Sequence, residues 1–217
     1  MILGLASLRR RLGWGSARTP AGRWIVVDTE TSGLDPERDR LLAIGAVAID
    51  DDGILLDDSF EIVLRGEPSG DAANIVVHGI GHGAQAAGMP VRAALEAFRE
   101  WAGDAPRVGF HTDFDRTVLR VAFFGAGLPG DDRPWLDLAP LAGALVPEAY
   151  RCGGRSLDDW LAAFGIECAI RHNAAADALA TAELLLRLRA IAAKQGTRGF
   201  EALVRVARAQ KWLGNAD

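Results

Sequence analysis

Cysteine is almost absent: Cys152 and Cys168 are the only two in 217 residues. Their spacing suits neither a zinc site nor a disulfide framework, so the chain reads as one made for a reducing compartment, the cytoplasm by default. Excess positive charge is missing too. A net charge of −5 argues against a long basic footprint on duplex nucleic acid and for short contacts at a strand end. No apolar run is long enough to span a bilayer. The apolar start at residues 1–8 is too short, and Arg9-Arg10-Arg11 follow it, whereas a secretory signal carries its charges in front. No internal repeat and no second catalytic module is visible. What is present, 49% apolar composition, suffices for one ordinary globular domain. It is placed at residues 23–193, after an N-terminal extension (1–22) that could form a short amphipathic helix and before a C-terminal helical tail (194–217).

Charges set into apolar stretches carry the functional reading. Trp24-Ile25-Val26-Val27 has the composition of a buried strand, and it ends in Asp28-Thr29-Glu30. Side chains alternate along a strand, so Asp28 and Glu30 point to one face. Two anions aimed at one place call for a cation, and hard divalent ions such as Mg²⁺ or Mn²⁺ take oxygen ligands. A lone Asp-x-Glu is more often a solvated strand end turning toward Ser32-Gly33, so the weight falls on two further acidic stations downstream. Residues 41–49 read as a second strand and residues 54–64 as a third, with Asp50-Asp51-Asp52-Gly53 as the hairpin turn between them rather than a metal site.

The second acidic station lies where residues 107–111 run into a helix through residue 124. Phe114, Val118, Val121 and Ala122 form its apolar stripe. Asp115 falls in the first turn, where the helix dipole favours a carboxylate, and Asp113 is placed to cap. The third station is Arg171-His172-Asn173-Ala174-Ala175-Ala176-Asp177, a loop leading into an Ala/Leu-rich helix. The alanines let its backbone approach neighbours closely and leave Asp177 as the only charge between His172 and Glu183. His172, five residues earlier, is free to swing over the same place. Further helices are expected at 91–101 after Pro90, at 136–146, from the capping sequence Ser156-Leu157-Asp158-Asp159 through Phe164, and at 197–213. His78 and His82 sit in a glycine-interrupted segment ill suited to presenting them from a helix, and they read as structural or as part of a substrate-side loop rather than as zinc ligands.

In this order (strand acid pair, helix acid, His-x4-Asp) the three stations resemble the DnaQ-like 3′–5′ exonucleases of the DEDDh type. The resemblance covers roughly residues 24–188. Val26-Val27-Asp28-Thr29-Glu30-Thr31-Ser32-Gly33-Leu34 matches the first family block, His172-Asn173-Ala174-Ala175-Ala176-Asp177-Ala178 the third, and Val77-His78-Gly79-Ile80 a segment often found between the first and second. The second block departs: where relatives often carry His-Asn, this chain has Phe110-His111, with the aromatic-Asp pair kept as Phe114-Asp115.

The resemblance implies a ribonuclease H-like α/β fold, a mixed five-stranded sheet of three antiparallel strands followed by β/α units, flanked by helices. It implies a metal-dependent exonuclease acting on the 3′ ends of single-stranded DNA, in proofreading or repair, with two divalent cations, Mg²⁺ or Mn²⁺, on Asp28, Glu30, Asp115 and Asp177. Asp28 would bridge the two ions and His172 would take the proton of the attacking water. Thr31, Leu34 and His111 would meet the terminal nucleotide. An exoribonuclease or oligonucleotide-degrading enzyme with the same residues stays open, because that distinction rests on contacts to the 2′-hydroxyl. So does a silent nucleic-acid-binding module, although no carboxylate is missing. A polymerase or another replication or repair protein is the partner class implied, and the sequence leaves oligomeric state open. Basic residues gather at 9–11, at Arg151 and Arg155, and at Arg205, Arg208 and Lys211. Any of these could touch phosphates, though scattered arginines are more often simply solvated.

Overall fold

A computed structural model describes residues 22–66, 79–148 and 156–214. Residues 1–21, Val77-His78, Arg151, Cys152 and Arg155 lie outside the described residues. Three strands, β1 (Trp24–Thr31), β2 (Leu41–Ile49) and β3 (Ile54–Val63), come first. Helices α1 (His82–Ala87) and α2 (Val91–Ala102) follow, then β4 (Arg107–Gly109), α3 (Asp113–Gly125), β5 (Trp135–Asp137) and α4 (Leu138–Leu145). Helices α5 (Leu157–Phe164), α6 (Ala174–Lys194) and α7 (Phe200–Gly214) complete the described chain.

The strands form one sheet in the order β3-β2-β1-β4-β5. β1 pairs antiparallel with β2 and β2 with β3, whereas β4 joins β1, and β5 joins β4, in parallel. This is the mixed five-stranded α/β sheet that the sequence implies. The β2–β3 hairpin closes at Asp50, whose carboxylate accepts the N–H groups of Asp52 (2.8 Å) and Gly53 (3.1 Å). Gly53 there has a φ of 142°, open to glycine alone at little cost.

Alternation along β1 divides the core into two layers. Trp24 and Val26 face one layer with Val47 of β2 and with Leu141, Trp160, Leu185 and Leu188 from the helices α4, α5 and α6. Ile25 and Val27 face the other, with Leu95, Phe98, Leu119 and Phe123 from α2 and α3. Helix α7 belongs to the first layer through Leu203, Val204 and Ala207, anchored at its start by Phe200 edge-on against Trp24 at 5.2 Å.

Local readings shift in four places. The apolar run expected to be helical from residue 136 starts as the strand β5, because Asp137 caps the helix instead, accepting the N–H of Ala139. Such short runs have no periodicity that separates strand from helix. Asp113 is the first helical residue of α3 and not its cap; Thr112 precedes it. The buried stripe of α3 is Val118, Leu119 and Phe123 rather than one through Val121, a rotation that also turns Asp115 inward. The glycine-rich stretch around His82 does carry a short helix, α1. Among the described residues no helix is long and apolar enough to cross a membrane.

Candidate active site

Asp28 and Glu30 continue the Trp24/Val26 face of β1, so they emerge in the layer occupied by α6. Two features bring Asp177 to them. Asn173 caps α6, its side chain accepting the N–H of Ala176 at 2.9 Å, which places Asp177 in the first turn. The start of α6 then sits directly on β2 at Gly45, the residue paired with Asp28 across the β1–β2 ladder. A Cβ at Gly45 would lie 2.1 Å from the Ala174 carbonyl carbon, so only glycine admits the helix here. One oxygen from each of Asp28, Glu30 and Asp177 falls within a 4.8 Å cluster.

Asp115 arrives from the other layer. β1 and β4 are parallel, so α3, which leaves the end of β4, starts beside the end of β1. Thr29, pointing opposite to its acidic neighbours, donates its hydroxyl to Asp115 Oδ1 at 2.7 Å. Asp115 is 5% exposed and Asp177 4%. Thr29 thereby ties the fourth carboxylate to the strand that carries the first two.

The electrostatics are those of an anion cluster short of cations. Burial, then Asp115, Asp177 and Glu30, push Asp28 well above the ordinary carboxylate range. Burial and the neighbouring Asp177 and Asp115 raise Glu30 to about 7. Burial raises Asp115 to about 7 despite the Thr29 hydrogen bond. The counter-charge is Arg171, whose guanidinium pairs with Asp177 and, through Nε at 2.5 Å, with Asp158. Burial pulls that guanidinium down, but the two carboxylates outweigh it and hold its proton more firmly than usual. Asp177 also accepts the Cys168 thiol at 3.2 Å and the His172 backbone N–H at 3.0 Å. Burial and Asp177 keep that thiol protonated. A set of all-oxygen donors, mutually repelling and partly neutralised by a guanidinium, fits hard divalent cations.

Asp28, Glu30, Asp177, Arg171, His172 and His111 line an open pocket of about 500 Å³. Both histidines are exposed, and both have left-handed backbones, with φ of 59° for His172 and 56° for His111. Non-glycine residues seldom adopt this conformation. Each is pinned through its N–H: His172 by Asp177, and His111 by Asp137 Oδ1 at 2.9 Å. Burial raises Asp137, against the pull of the two N–H groups it accepts from Ala139 and His111. Thr31 and Leu34 lie outside the lining. Thr31 turns its hydroxyl onto the Gly33 carbonyl at 2.6 Å, and Leu34 stands 92% exposed on the loop that follows β1.

Gly45, Thr29, Arg171 and Asp137 serve this site without having stood out in the sequence. Gly45 alone carried a signal, since a glycine inside an otherwise apolar strand often marks a close backbone approach.

Three comparisons bear on this arrangement. A family model described as exonuclease (RNase T) matches residues 25–185. The DNA polymerase III PolC-type protein of Bacillus cereus is 29% identical over 165 residues, 76% of this chain and 11% of that protein. A DNA polymerase III subunit epsilon-like protein of Rhodobacter capsulatus is 31% identical over 193 residues, 87% of this chain and 27% of that one. The chain therefore spans only a minor part of the length of these relatives. Among solved structures, E. coli exonuclease I in complex with a dT13 oligonucleotide superposes with a TM-score of 0.67 at 18% identity, over 80% of this chain and 42% of that one. At that identity the likeness is one of fold.

Proposed function

The chain belongs to the exonuclease (RNase T) family, and from that premise we propose that it removes nucleotides from the 3′ end of single-stranded DNA with the help of two divalent cations, Mg²⁺ or Mn²⁺. The observation that carries the proposal is the meeting of Asp28, Glu30 and Asp177 within 4.8 Å, with Asp115 tied in behind them and His172 at the rim. Asp28, Glu30, Asp177 and Asp115 would hold the ions. When bound, such ions activate water and neutralise charge on the phosphate and leaving oxygen. His172 serves as general base, an imidazole being able to accept a proton near neutral pH. Its strained backbone, fixed by Asp177, presents the ring at the pocket mouth rather than in the core.

Substrate positioning falls to Leu34, His111 and Thr31. Leu34, a large apolar side chain left almost wholly in water, is available to pack on the terminal base, and His111 lines the pocket. Thr31 shapes the loop that carries Leu34. A role in proofreading or repair, in the cytoplasm and beside a polymerase or another replication protein, is supported by the polymerase III names of two relatives. Single-stranded DNA as substrate is supported by the oligonucleotide bound to exonuclease I.

The test is a time course on 5′-labelled single-stranded DNA and RNA oligomers with Mn²⁺, Mg²⁺ or EDTA, beside Asp28→Ala and His172→Ala. A metal-dependent ladder shortening from the 3′ end is expected, absent in Asp28→Ala. In His172→Ala it should slow by about 10²- to 10⁴-fold, with metal binding retained. Faster loss of RNA would make the enzyme an exoribonuclease. No cleavage of either polymer, with metal bound, would leave a nucleic-acid-binding module in its place.

A further inference from the structure

Helix α7 lies beyond the segment that matches the exonuclease family, which ends at residue 185. Its apolar side, Leu203, Val204 and Ala207, is locked into the core. At the edge of that packed side Val204, Ala207, Arg208 and Lys211 line a second, smaller cavity of about 120 Å³ that also touches α3 and β5. Arg116, Arg208 and Lys211 line this cavity together with Asp113 and Asp137. The two acids are already engaged: Asp137 holds the N–H groups of His111 and Ala139, and Asp113 meets Lys211 at 2.5 Å. The Asp113–Lys211 pair is largely exposed, and exposed pairs of this kind hold each other only weakly. Arg116 and Arg208 are exposed and have no acidic partner among the described residues.

The cavity also adjoins the catalytic pocket. The His111–Thr112 turn separates them, with His111 lining one and Thr112 the other. One helical turn beyond Arg208, on the same side of α7, stands Trp212, 81% exposed. An indole in water beside guanidiniums without an acidic partner among the described residues, next door to a phosphodiesterase pocket, is the pairing that single-stranded nucleic acid uses elsewhere: cations track the backbone and an aromatic face stacks a base.

We infer that α3 and α7 form a shelf for the part of the strand lying 5′ to the nucleotide in the catalytic pocket, with Arg116, Arg208 and Lys211 on its phosphates and Trp212 stacked on one of its bases. This inference rests on the function proposed above. It gives an overall acidic chain a local cationic track, short enough for a strand end and too short for a duplex.

Substrate length separates a shelf from a merely structural helix. Kinetics in Mn²⁺ on the p-nitrophenyl ester of thymidine 5′-monophosphate, a single nucleotide with no strand 5′ to it, and on a twelve-nucleotide single strand would be compared for Trp212→Ala, Trp212→Phe and the double variant Arg116→Ala/Arg208→Ala. On the longer strand KM should rise roughly tenfold for Trp212→Ala, with kcat kept and with Phe restoring most of the loss. On the single-nucleotide ester all three should behave as the unaltered protein. Binding of the twelve-mer, read by fluorescence anisotropy in EDTA, should lose salt dependence in the double variant, its log–log slope falling by about 1.4, or about 0.7 for each phosphate contact in a single strand. Equal losses on both lengths, or none on the longer strand, would overturn the shelf. Should the unaltered protein cleave neither substrate, the proposed function falls, and the anisotropy arm still decides: twelve-mer binding that ignores Trp212 and the arginines removes the shelf as well.

Discussion

Adding one methyl group at Gly45 should disable the site from beneath. The new Cβ of Gly45→Ala would stand 2.1 Å from the Ala174 carbonyl carbon, 2.2 Å from the Ala175 nitrogen and 2.3 Å from the Ala174 oxygen, against an ordinary contact of 3.4 Å or more. All three are backbone atoms of the first turn of α6, with no side chain that could rotate aside. The start of the helix must therefore withdraw by more than about 1 Å, twice the tolerance of roughly 0.5 Å within which functional groups must be held. Asp177, in the same turn, moves with it, away from Asp28 and Glu30. Overpacking of this kind costs about 1–3 kcal/mol, and a misplacement of about 1 Å lowers turnover roughly a hundredfold. Calorimetric titration with Mn²⁺, thermal unfolding in EDTA and exonuclease kinetics would be run on Gly45→Ala beside Gly125→Ala. Gly125 is helical and has open space around its Cβ position, so its variant should match the unaltered protein in metal affinity and rate. Unchanged Mn²⁺ affinity and unfolding temperature in Gly45→Ala would refute the view that this contact sets the distance between α6 and β1.

Two further outcomes come from the charge cluster. Glu30 and Asp115 are both held near 7, above their ordinary 4.5 and 3.8. The folded protein thus keeps protons that the unfolded chain has already shed, and stability from these groups falls as pH rises towards and through 7. In EDTA the unfolding temperature should drop between pH 6 and 8, whereas the extra stability conferred by Mn²⁺, which binds the deprotonated acids, should grow across the same window; an EDTA profile that stays flat or rises would count against the cluster. Removing the internal cation with Arg171→Gln should lower the unfolding temperature in EDTA and enlarge the upward shift produced by Mn²⁺, because Asp177 loses its guanidinium partner and competitor. A smaller Mn²⁺ shift would show instead that Arg171 assists the ions.

Sequence alone determined the elements and the identity of the acids. The β-branched run before Asp28, the uninterrupted apolar stretch at 41–49 and the Ser156–Asp159 capping box are local patterns, written by residues a few positions apart, and β2 and α5 begin where those patterns place them. Period-two alternation put Asp28 and Glu30 on one face, and an isolated acid among alanines marked Asp177. Tertiary structure alone decided how these parts meet. That Thr29 would reach Asp115, that Arg171 would spend its charge on Asp177 and Asp158, and that Asp137 would fix the backbone of His111 depend on pairings across as many as 86 positions. No periodicity encodes such pairings; they arise when two layers close on one sheet. Asp115 shows this most directly, since it belongs to the layer opposite its fellow acids and joins them only because parallel β1 and β4 bring their ends side by side. A one-dimensional pattern can name a ligand, but the distance between two ligands is fixed by packing.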